Sequence, residues 1–314
     1  MTILNFAFFA ALRETLIFTQ RLVVRKEEPG ATLKFMSNDL KNLHLAFIGC
    51  GVMAESMLAG LAKKELVDPA NVCASHPRKA RREELAAKYG VEVFESNSDA
   101  AKHVAGRENS AVLICVKPQR LKGVLNDLTG VLHLDQLVIS IVAGARIEHL
   151  ADELGTAKIV RAMPNTPSQI GAGITAWTCT SAVDDTERGH VREMLSALGK
   201  ELFVETENMI DMATSLSATG PTYIFMVMEA LTDAGVHLGF SRDMAKELVQ
   251  ETMLGSVKFA IESHKHPAEL RNMVTSPGGT SAEAIYQMEK GSLRTVLSKA
   301  VYSAYKRAVE LGKK

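Results

Sequence analysis

The chain has 314 residues, of which 46% are apolar, and its 36 basic residues balance its 36 acidic ones. This length suggests two domains, since domains usually hold about 100–200 residues. The balanced charge gives no reason to expect nucleic acid or an anionic membrane as a partner. No run reaches the roughly 18–20 apolar residues of a membrane-spanning helix. A small molecule is therefore the expected partner.

The first 36 residues differ from the rest. Their apolar run ILNFAFFAAL has no basic region ahead of it, which argues against a secretory signal. Met36 stands just before SNDLKNLHLAFIGCG, which reads like a natural start ahead of a first strand. We expect residues 1–36 to be a disordered extension.

Strands and helices alternate from residue 43 onward. Short apolar runs predict strands at LHLAFIG, NVCAS, VEVF, AVLICV and LVISIV, and then at KIVRAM, ITAWTCT and ELFVET. Helical patterns lie between most of them, including residues 52–64 and 184–199. Apolar runs this continuous suit parallel strands covered on both faces. The alternation predicts an α/β domain with a Rossmann-type doubly wound sheet over residues 37–206.

Strand signals stop after residue 207. The segment MIDMATSLSATGPTYIFMVMEALTDAGVHLG predicts one long apolar helix, and the amphipathic stretch after it opens with a serine cap. Two further helical segments follow, SAEAIYQMEKG and LRTVLSKAVYSAYKRAVELGKK. We predict an all-helical domain over residues 207–314.

The first strand runs directly into GCGVMA, the GxGxxA form of the dinucleotide-binding fingerprint. The first glycine permits a tight turn, the second lets the backbone approach a pyrophosphate, and the alanine allows close helix packing. Amides at the helix start then face the phosphates. An ordinary glycine-rich turn is the alternative. The candidate cofactor-binding residues here are Gly49, Gly51, Val52, Met53 and Ala54.

The end of the second strand indicates which cofactor is used. NAD-binding domains usually carry an acidic residue there, whereas this strand ends in CAS followed by HPRK. A hydroxyl and a guanidinium suit the 2′-phosphate of NADPH, so Ser75 and Arg78 are the candidates, with NADH as the second choice. A solvated helix face is the alternative for the basic residues here, which are Arg78, Lys79, Arg81 and Arg82.

Other strand ends should line the same crevice, because ligands bind at the carboxyl edge of such sheets. Asn97 could reach the adenosine side or cap the helix at 98–104. Lys117 could contribute its charge or only shape its loop. The candidate cofactor-binding residues at these ends are Asn97, Val116, Lys117, Pro118, Ala143 and Gly144.

Four cysteines, at positions 50, 73, 115 and 179, lie far apart without metal-ligand spacing. Reduced thiols in the cytoplasm are the expected state, and no metal site is expected.

Six segments together resemble the pyrroline-5-carboxylate reductase family: FIGCGVMAESM, CVKPQ, SIVAGARI, VRAMPNTPSQIGAG, LSATGPTYIF and VTSPGGTSAEAI. The resemblance covers about residues 43–312. It implies hydride transfer from NADPH or NADH to 1-pyrroline-5-carboxylate, giving L-proline in the last step of proline biosynthesis. It also implies a homodimer, assembled further, often into a decamer, with each active site shared between two subunits.

The resemblance assigns the substrate to the SPGGTS turn. Glycines let backbone amides crowd a ligand, and a helix start favours an anion. By resemblance, the Ser276 hydroxyl and the amides of Gly279, Thr280 and Ser281 hold the substrate carboxylate, in a turn that includes Gly278. The Ser281 or Thr280 hydroxyl would lie near the ring nitrogen as the catalytic group, and Asn165 would face the nicotinamide. An ordinary proline–glycine turn is the alternative.

Two other functions remain open at this stage. One is a two-domain NADP-dependent dehydrogenase of hydroxy acids, although such enzymes usually rely on a catalytic lysine in the second domain. The other is a non-catalytic NADP-binding protein, since this fold hosts many functions.

Overall fold

Eight strands form a single sheet in the computed structural model, which describes residues 40–313. The expectation for residues 1–36 lies outside these. Every strand predicted from an apolar run is present, which confirms the predicted sheet. The strands are β1 (His44–Ile48), β2 (Val72–Ser75), β3 (Glu92–Phe94), β4 (Ser110–Ile114), β5 (Leu137–Ser140), β6 (Ile159–Met163), β7 (Gly173–Cys179) and β8 (Gly199–Phe203).

The strand order is β3-β2-β1-β4-β5-β6-β7-β8. The first six strands are parallel, β7 runs antiparallel to β6, and β8 is parallel to β7. The chain direction across the sheet reverses between β1 and β4. A crevice forms at such a reversal, beyond the carboxyl ends of the strands, and ligands bind there.

Helices cover both faces of the sheet, as the doubly wound prediction requires. Side chains alternate along β1, so Leu45 and Phe47 join one apolar cluster while Ala46 and Ile48 join the other. This two-sided burial explains why the strands are apolar without interruption. The helices are α1 (Val52–Lys63), α2 (Lys79–Tyr89), α3 (Asn97–Val104), α4 (Leu121–Leu128), α5 (Ile147–Leu154) and α6 (Asp185–Ser196).

After β8 the described residues form helices joined by short turns and loops, and none of the described helices is long and apolar enough to cross a bilayer. The long helix predicted from residue 209 is interrupted by a π-helical segment, Thr214–Ala218, where Thr219 N–H donates to the Thr214 carbonyl at 2.9 Å. Pro221 lies three residues after this segment, and its ring would clash with the carbonyl four residues earlier in a regular helix. The helices are α7 (Asn208–Ala213), α8 (Gly220–His237), α9 (Arg242–Ser263), α10 (Pro267–Met273), α11 (Thr280–Lys290) and α12 (Leu293–Leu311).

A buried charge network joins the sheet to α7. Arg161 on β6 is fully buried and donates to Asp211 at 2.6 Å and to Glu207 at 2.8 Å. Arg146, just after β5, lies 3.4 Å from the second oxygen of Asp211. Glu207 also accepts from the Ile147 backbone N–H at 2.9 Å. The network thereby fixes the start of the helical region against the carboxyl side of β5 and β6.

Candidate active site

The turn after β1 has the geometry that the fingerprint predicts. Gly49 has φ +80°, and a Cβ there would clash with the side chain of Val116. A Cβ on Gly51 would meet nothing closer than 3.9 Å, so packing within the chain does not require glycine there. Ala54 is 1% exposed and packs in the core. The open space above Gly51, at the start of α1, therefore suits close approach by a phosphate.

A chain of hydrogen bonds supports this turn from behind. The Gly49 N–H donates to Ser75 Oγ at 3.0 Å, Ser75 Oγ donates to Asn97 Oδ1 at 2.7 Å, and Asn97 Nδ2 donates to Asp127 Oδ2 at 2.9 Å. Ser75 is fully buried and its only hydroxyl proton points at Asn97. Its position behind the turn differs from the direct phosphate contact expected from the sequence. Asn97 is not the helix cap, because Ser96 caps α3.

A cavity of about 500 Å³ opens in front of the turn. Gly49, Gly51, Asn97, Val116 and Lys117 line it, so the structure brings five of the predicted cofactor residues together. Its volume falls in the range of about 300–1,000 Å³ that is usual for ligand sites. Lys117 is exposed there and makes no ion pair with any described residue.

The basic run after β2 divides into paired and unpaired residues. Lys79, Arg81 and Arg82 each have a carboxylate partner within 3.7 Å. Arg78 is exposed and has no such partner among the described residues, so its guanidinium is available to an anion. Burial, and then the positive charge of Arg78, lower the pKa of the adjacent His76, which favours the neutral form near pH 7.

Glu55 fixes the fingerprint helix α1 to α2. Its carboxylate accepts from Arg81 at 2.5 Å, from Lys88 at 2.8 Å and from the Tyr89 hydroxyl at 2.9 Å. Burial alone would raise its pKa, but these hydrogen bonds outweigh burial and lower the pKa of Glu55 to about 2. The carboxylate is therefore ionised at any physiological pH.

The other predicted strand-end residues line a second cavity, of about 520 Å³. Pro118, Ala143 and Gly144 belong to it, together with the end of α12. Gly144 has φ +78°, and a Cβ there would lie 2.8 Å from the backbone of Leu311. The sequence predicted one continuous crevice for all these residues, whereas the end of α12 packs beside this part of the edge.

The π segment lies next to the same edge, which the sequence did not predict. Ala143, Met163, Ala213 and Ala218 belong to one small apolar cluster. π-helical turns occur frequently at functional sites. Asn165, in the turn after β6, accepts from the Ile174 N–H through Oδ1 at 3.0 Å, which leaves its amide nitrogen for other partners.

The SPGGTS turn forms an anion-binding geometry at the start of α11. Gly278 has φ +69°, and the Gly279 N–H donates to the Ser276 carbonyl at 3.0 Å. The N–H groups of Thr280 and Ser281 have no partner among the described residues, as expected in the first turn of a helix. No residue of this turn lines either of the two cavities.

The helices after residue 219 leave much apolar surface uncovered. Helix α8 has no fully buried residue, and α9 has only Ala245. Phe225, Leu248, Val257 and Phe259 are each about half exposed. Uncovered apolar surface on this scale marks an interface with another protein chain.

Comparisons with known proteins agree with this arrangement. Residues 207–311 match the family described as pyrroline-5-carboxylate reductase dimerisation, which makes the chain homo-oligomeric through this region, and residues 44–144 match NADP oxidoreductase, coenzyme F420-dependent. Pyrroline-5-carboxylate reductase from Synechocystis sp. is 38% identical over 87% of this chain and 100% of its own length. The Arabidopsis thaliana enzyme of the same name is 34% identical over 86% and 96%.

Solved structures of similar proteins have the same fold over most of the chain. A pyrroline-5-carboxylate reductase from Coxiella burnetii is 35% identical, with a TM-score of 0.77 over 87% of this chain and 99% of that one. Plasmodium falciparum pyrroline carboxylate reductase, solved with NADP bound, is 30% identical, with a TM-score of 0.78 over 87% and 99%. With its fingerprint turn, its SPGGTS turn and near full-length similarity to these proteins, the chain belongs to the pyrroline-5-carboxylate reductase family.

Proposed function

We propose that this chain reduces 1-pyrroline-5-carboxylate to L-proline, with NADPH or NADH as the hydride donor. The observation that carries the proposal is the SPGGTS turn at the start of α11, in a chain that also has a dinucleotide-binding turn and belongs to this family. Neither a hydroxy-acid dehydrogenase nor a non-catalytic binding protein accounts for both turns.

The residues of the first cavity fit the cofactor. Gly51 leaves space for the pyrophosphate, and the amides of Val52 and Met53 begin the helix that faces it. Asn97, held by its two hydrogen bonds, lies on the adenosine side, and Arg78 is the free cation for a 2′-phosphate. The nicotinamide half of the cofactor would be held by Ala143, Gly144 and Asn165. Val116 and Lys117, which line the first cavity, and Pro118, which lines the second, would contact it as well. When bound, the cofactor supplies the hydride that reduces the C=N bond.

The SPGGTS turn fits the substrate carboxylate. The unpaired N–H groups of Thr280 and Ser281 point out of a helix start, where the helix dipole favours a negative charge. The Ser276 hydroxyl completes the cradle. Gly278 and Gly279 shape the turn, but the Gly279 N–H, which the resemblance assigns to the carboxylate, donates instead to the Ser276 carbonyl. The hydroxyl of Ser281 or Thr280 would then lie beside the ring nitrogen and orient it. Positioning of this kind contributes to the rate because it fixes the reacting atoms in a productive geometry.

We propose that a second subunit completes each site. The exposed apolar side chains of α8 and α9 supply the interface, and the SPGGTS turn would meet the cofactor cavity of the partner. The division into a cofactor domain over 37–206 and a dimerisation and substrate domain over 207–314 follows from this arrangement. Assembly of dimers into a decamer and a cytoplasmic location complete the proposal.

The test is steady-state oxidation of NADPH, and separately of NADH, with pyrroline-5-carboxylate as substrate. Ser281→Ala should lower kcat/KM for the imine by roughly tenfold or more, the effect of losing a hydrogen bond to a charged ligand. Ser181→Ala, at an exposed serine after β7, is the matched control and should leave both constants unchanged.

The outcomes separate the alternatives. Imine-dependent oxidation that Ser281→Ala does not alter would keep the reaction and assign the substrate contact to Thr280 and the backbone amides. A folded oligomer that oxidises neither cofactor with this imine would overturn the proposed reaction.

A further inference from the structure

An acidic residue enters the cofactor cavity from β3, although β2 has none at its end. Glu95 directly follows β3 and lines the same cavity as Gly49 and Gly51. Strands β2 and β3 are parallel, with Ser75 opposite Phe94, and the His76 N–H donates to the Phe94 carbonyl at 3.0 Å. The residues just beyond the two strands, His76 and Glu95, therefore lie side by side at the adenosine end.

Arg82 holds this corner together. Its Nη2 donates to Glu95 at 2.8 Å, and its Nη1 donates to the carbonyls of His76 and Pro77 at 2.9 Å each. The Arg82 side chain is 15% exposed, whereas the Glu95 side chain is 75% exposed. Arg82 is thus fixed by three acceptors, while the Glu95 carboxylate keeps free acceptor positions toward the cavity.

The charge of Glu95 acts in opposite senses on the two cofactors. A carboxylate accepts a hydrogen bond from the ribose 2′-hydroxyl, which NADH presents. NADPH carries a 2′-phosphate instead, with a charge of about −1.5 to −2 near pH 7. Glu95 repels this phosphate and also occupies Arg82, which would otherwise bind it. Among the basic residues that follow β2, this leaves Arg78 as the one cation without a carboxylate partner in the part of the chain that the structure describes.

From this geometry we propose that Glu95 sets the cofactor selectivity of the chain by weakening NADPH relative to NADH. The inference rests on the proposed function for the identity of the ligand. It extends that function by assigning the selectivity to a residue after the third strand, where the dinucleotide fingerprint places no determinant.

The test is the ratio of the dissociation constants for NADPH and NADH, measured by titration calorimetry on the full-length protein without substrate. Glu95→Gln should tighten NADPH relative to NADH by roughly three- to tenfold, and added salt should shrink the shift. Arg78→Ala should move the ratio the opposite way. Glu92→Gln removes a carboxylate from the far end of the same strand, roughly 10 Å away, and should not move it.

Thermal unfolding of each variant checks that it is folded. We expect Glu95→Gln to fold, because Arg82 still donates to the carbonyls of His76 and Pro77. A ratio in Glu95→Gln within twofold of wild type, or an equal change for both cofactors, would overturn the inference while leaving the reductase intact. If Glu95→Gln shifts the ratio of dissociation constants but the wild type shows no imine-dependent turnover, the selectivity role is supported and the proposed reaction is rejected. A folded wild type that binds neither cofactor would overturn both.

Discussion

The buried charge network between β6 and α7 makes a large and specific prediction for Asp211→Ala. Both Arg161 and Asp211 are at most 1% exposed, and their atoms lie 2.6 Å apart. The substitution leaves the fully buried Arg161 guanidinium with Glu207 as its one carboxylate partner among the described residues. It also removes the carboxylate that lies 3.4 Å from Arg146. Removing one partner from a buried ion pair costs about 3–5 kcal/mol, because a charge stays desolvated without compensation.

The control is Glu83→Ala on α2, away from the α8 and α9 surfaces proposed as the interface. It breaks the Lys79–Glu83 pair, whose charged atoms lie 3.7 Å apart and whose side chains are 81% and 66% exposed. Exposed pairs contribute about 0–1 kcal/mol. Urea unfolding of both variants at one fixed protomer concentration compares the two losses of unfolding free energy, since stability depends on concentration in an oligomer. If Asp211→Ala lowers the unfolding free energy no more than Glu83→Ala does, the buried network does not contribute the stability assigned to it.

Two further substitutions test the packing around the site. The pKa of Glu55 is lowered from 4.5 to about 2, so its stabilisation is fully present above pH 4.5 and is lost as the pH falls through about 2. The difference in unfolding free energy between wild type and Glu55→Gln, from urea titrations, should therefore be constant above pH 4.5 and shrink below it; no dependence on pH there would contradict the role. Gly144→Ala should destabilise by roughly 1–3 kcal/mol, because it combines φ +78° with a 2.8 Å approach to Leu311. Gly130→Ala, at φ +72° in open space, measures the backbone cost alone, and equal losses of Tm in the two variants would show that the contact with α12 is unimportant.

The fold was largely predictable because its signals are local. Uninterrupted apolar runs mark strands covered on both faces, and the glycine spacing after the first run marks the cofactor turn. The π segment was not predictable in the same way, since Pro221 reveals that a regular helix is disturbed but not how the chain adapts. An expectation of one continuous helix followed from apolar composition alone.

The sequence does not reveal which polar groups of the candidate site pair with one another. Ser75 and Arg78 are both suitable phosphate ligands by residue type. Burial and a hydrogen bond to Asn97 place Ser75 behind the turn, while Arg78 has no carboxylate partner within residues 40–313. Glu95 could have been found by pairing the ends of the second and third strands. In the sequence, Arg161 is only a charged residue within an apolar strand. Its partner Asp211 lies 50 residues later, so the pair becomes evident only in the fold.

The network around Arg161 also bears on the order in which the chain is completed during synthesis. Strand β6 leaves the ribosome before Glu207 and Asp211 do, and domains fold as units as they emerge. Until those carboxylates arrive, settling β6 into the sheet would desolvate an unpaired guanidinium, at a cost of several kcal/mol. Without Glu207 and Asp211, the cofactor half of the chain completes its sheet only at that cost. Helix α7 thereby stabilises the sheet that precedes it, so a fragment that ends before residue 207 should be less stable than the same region in the full chain.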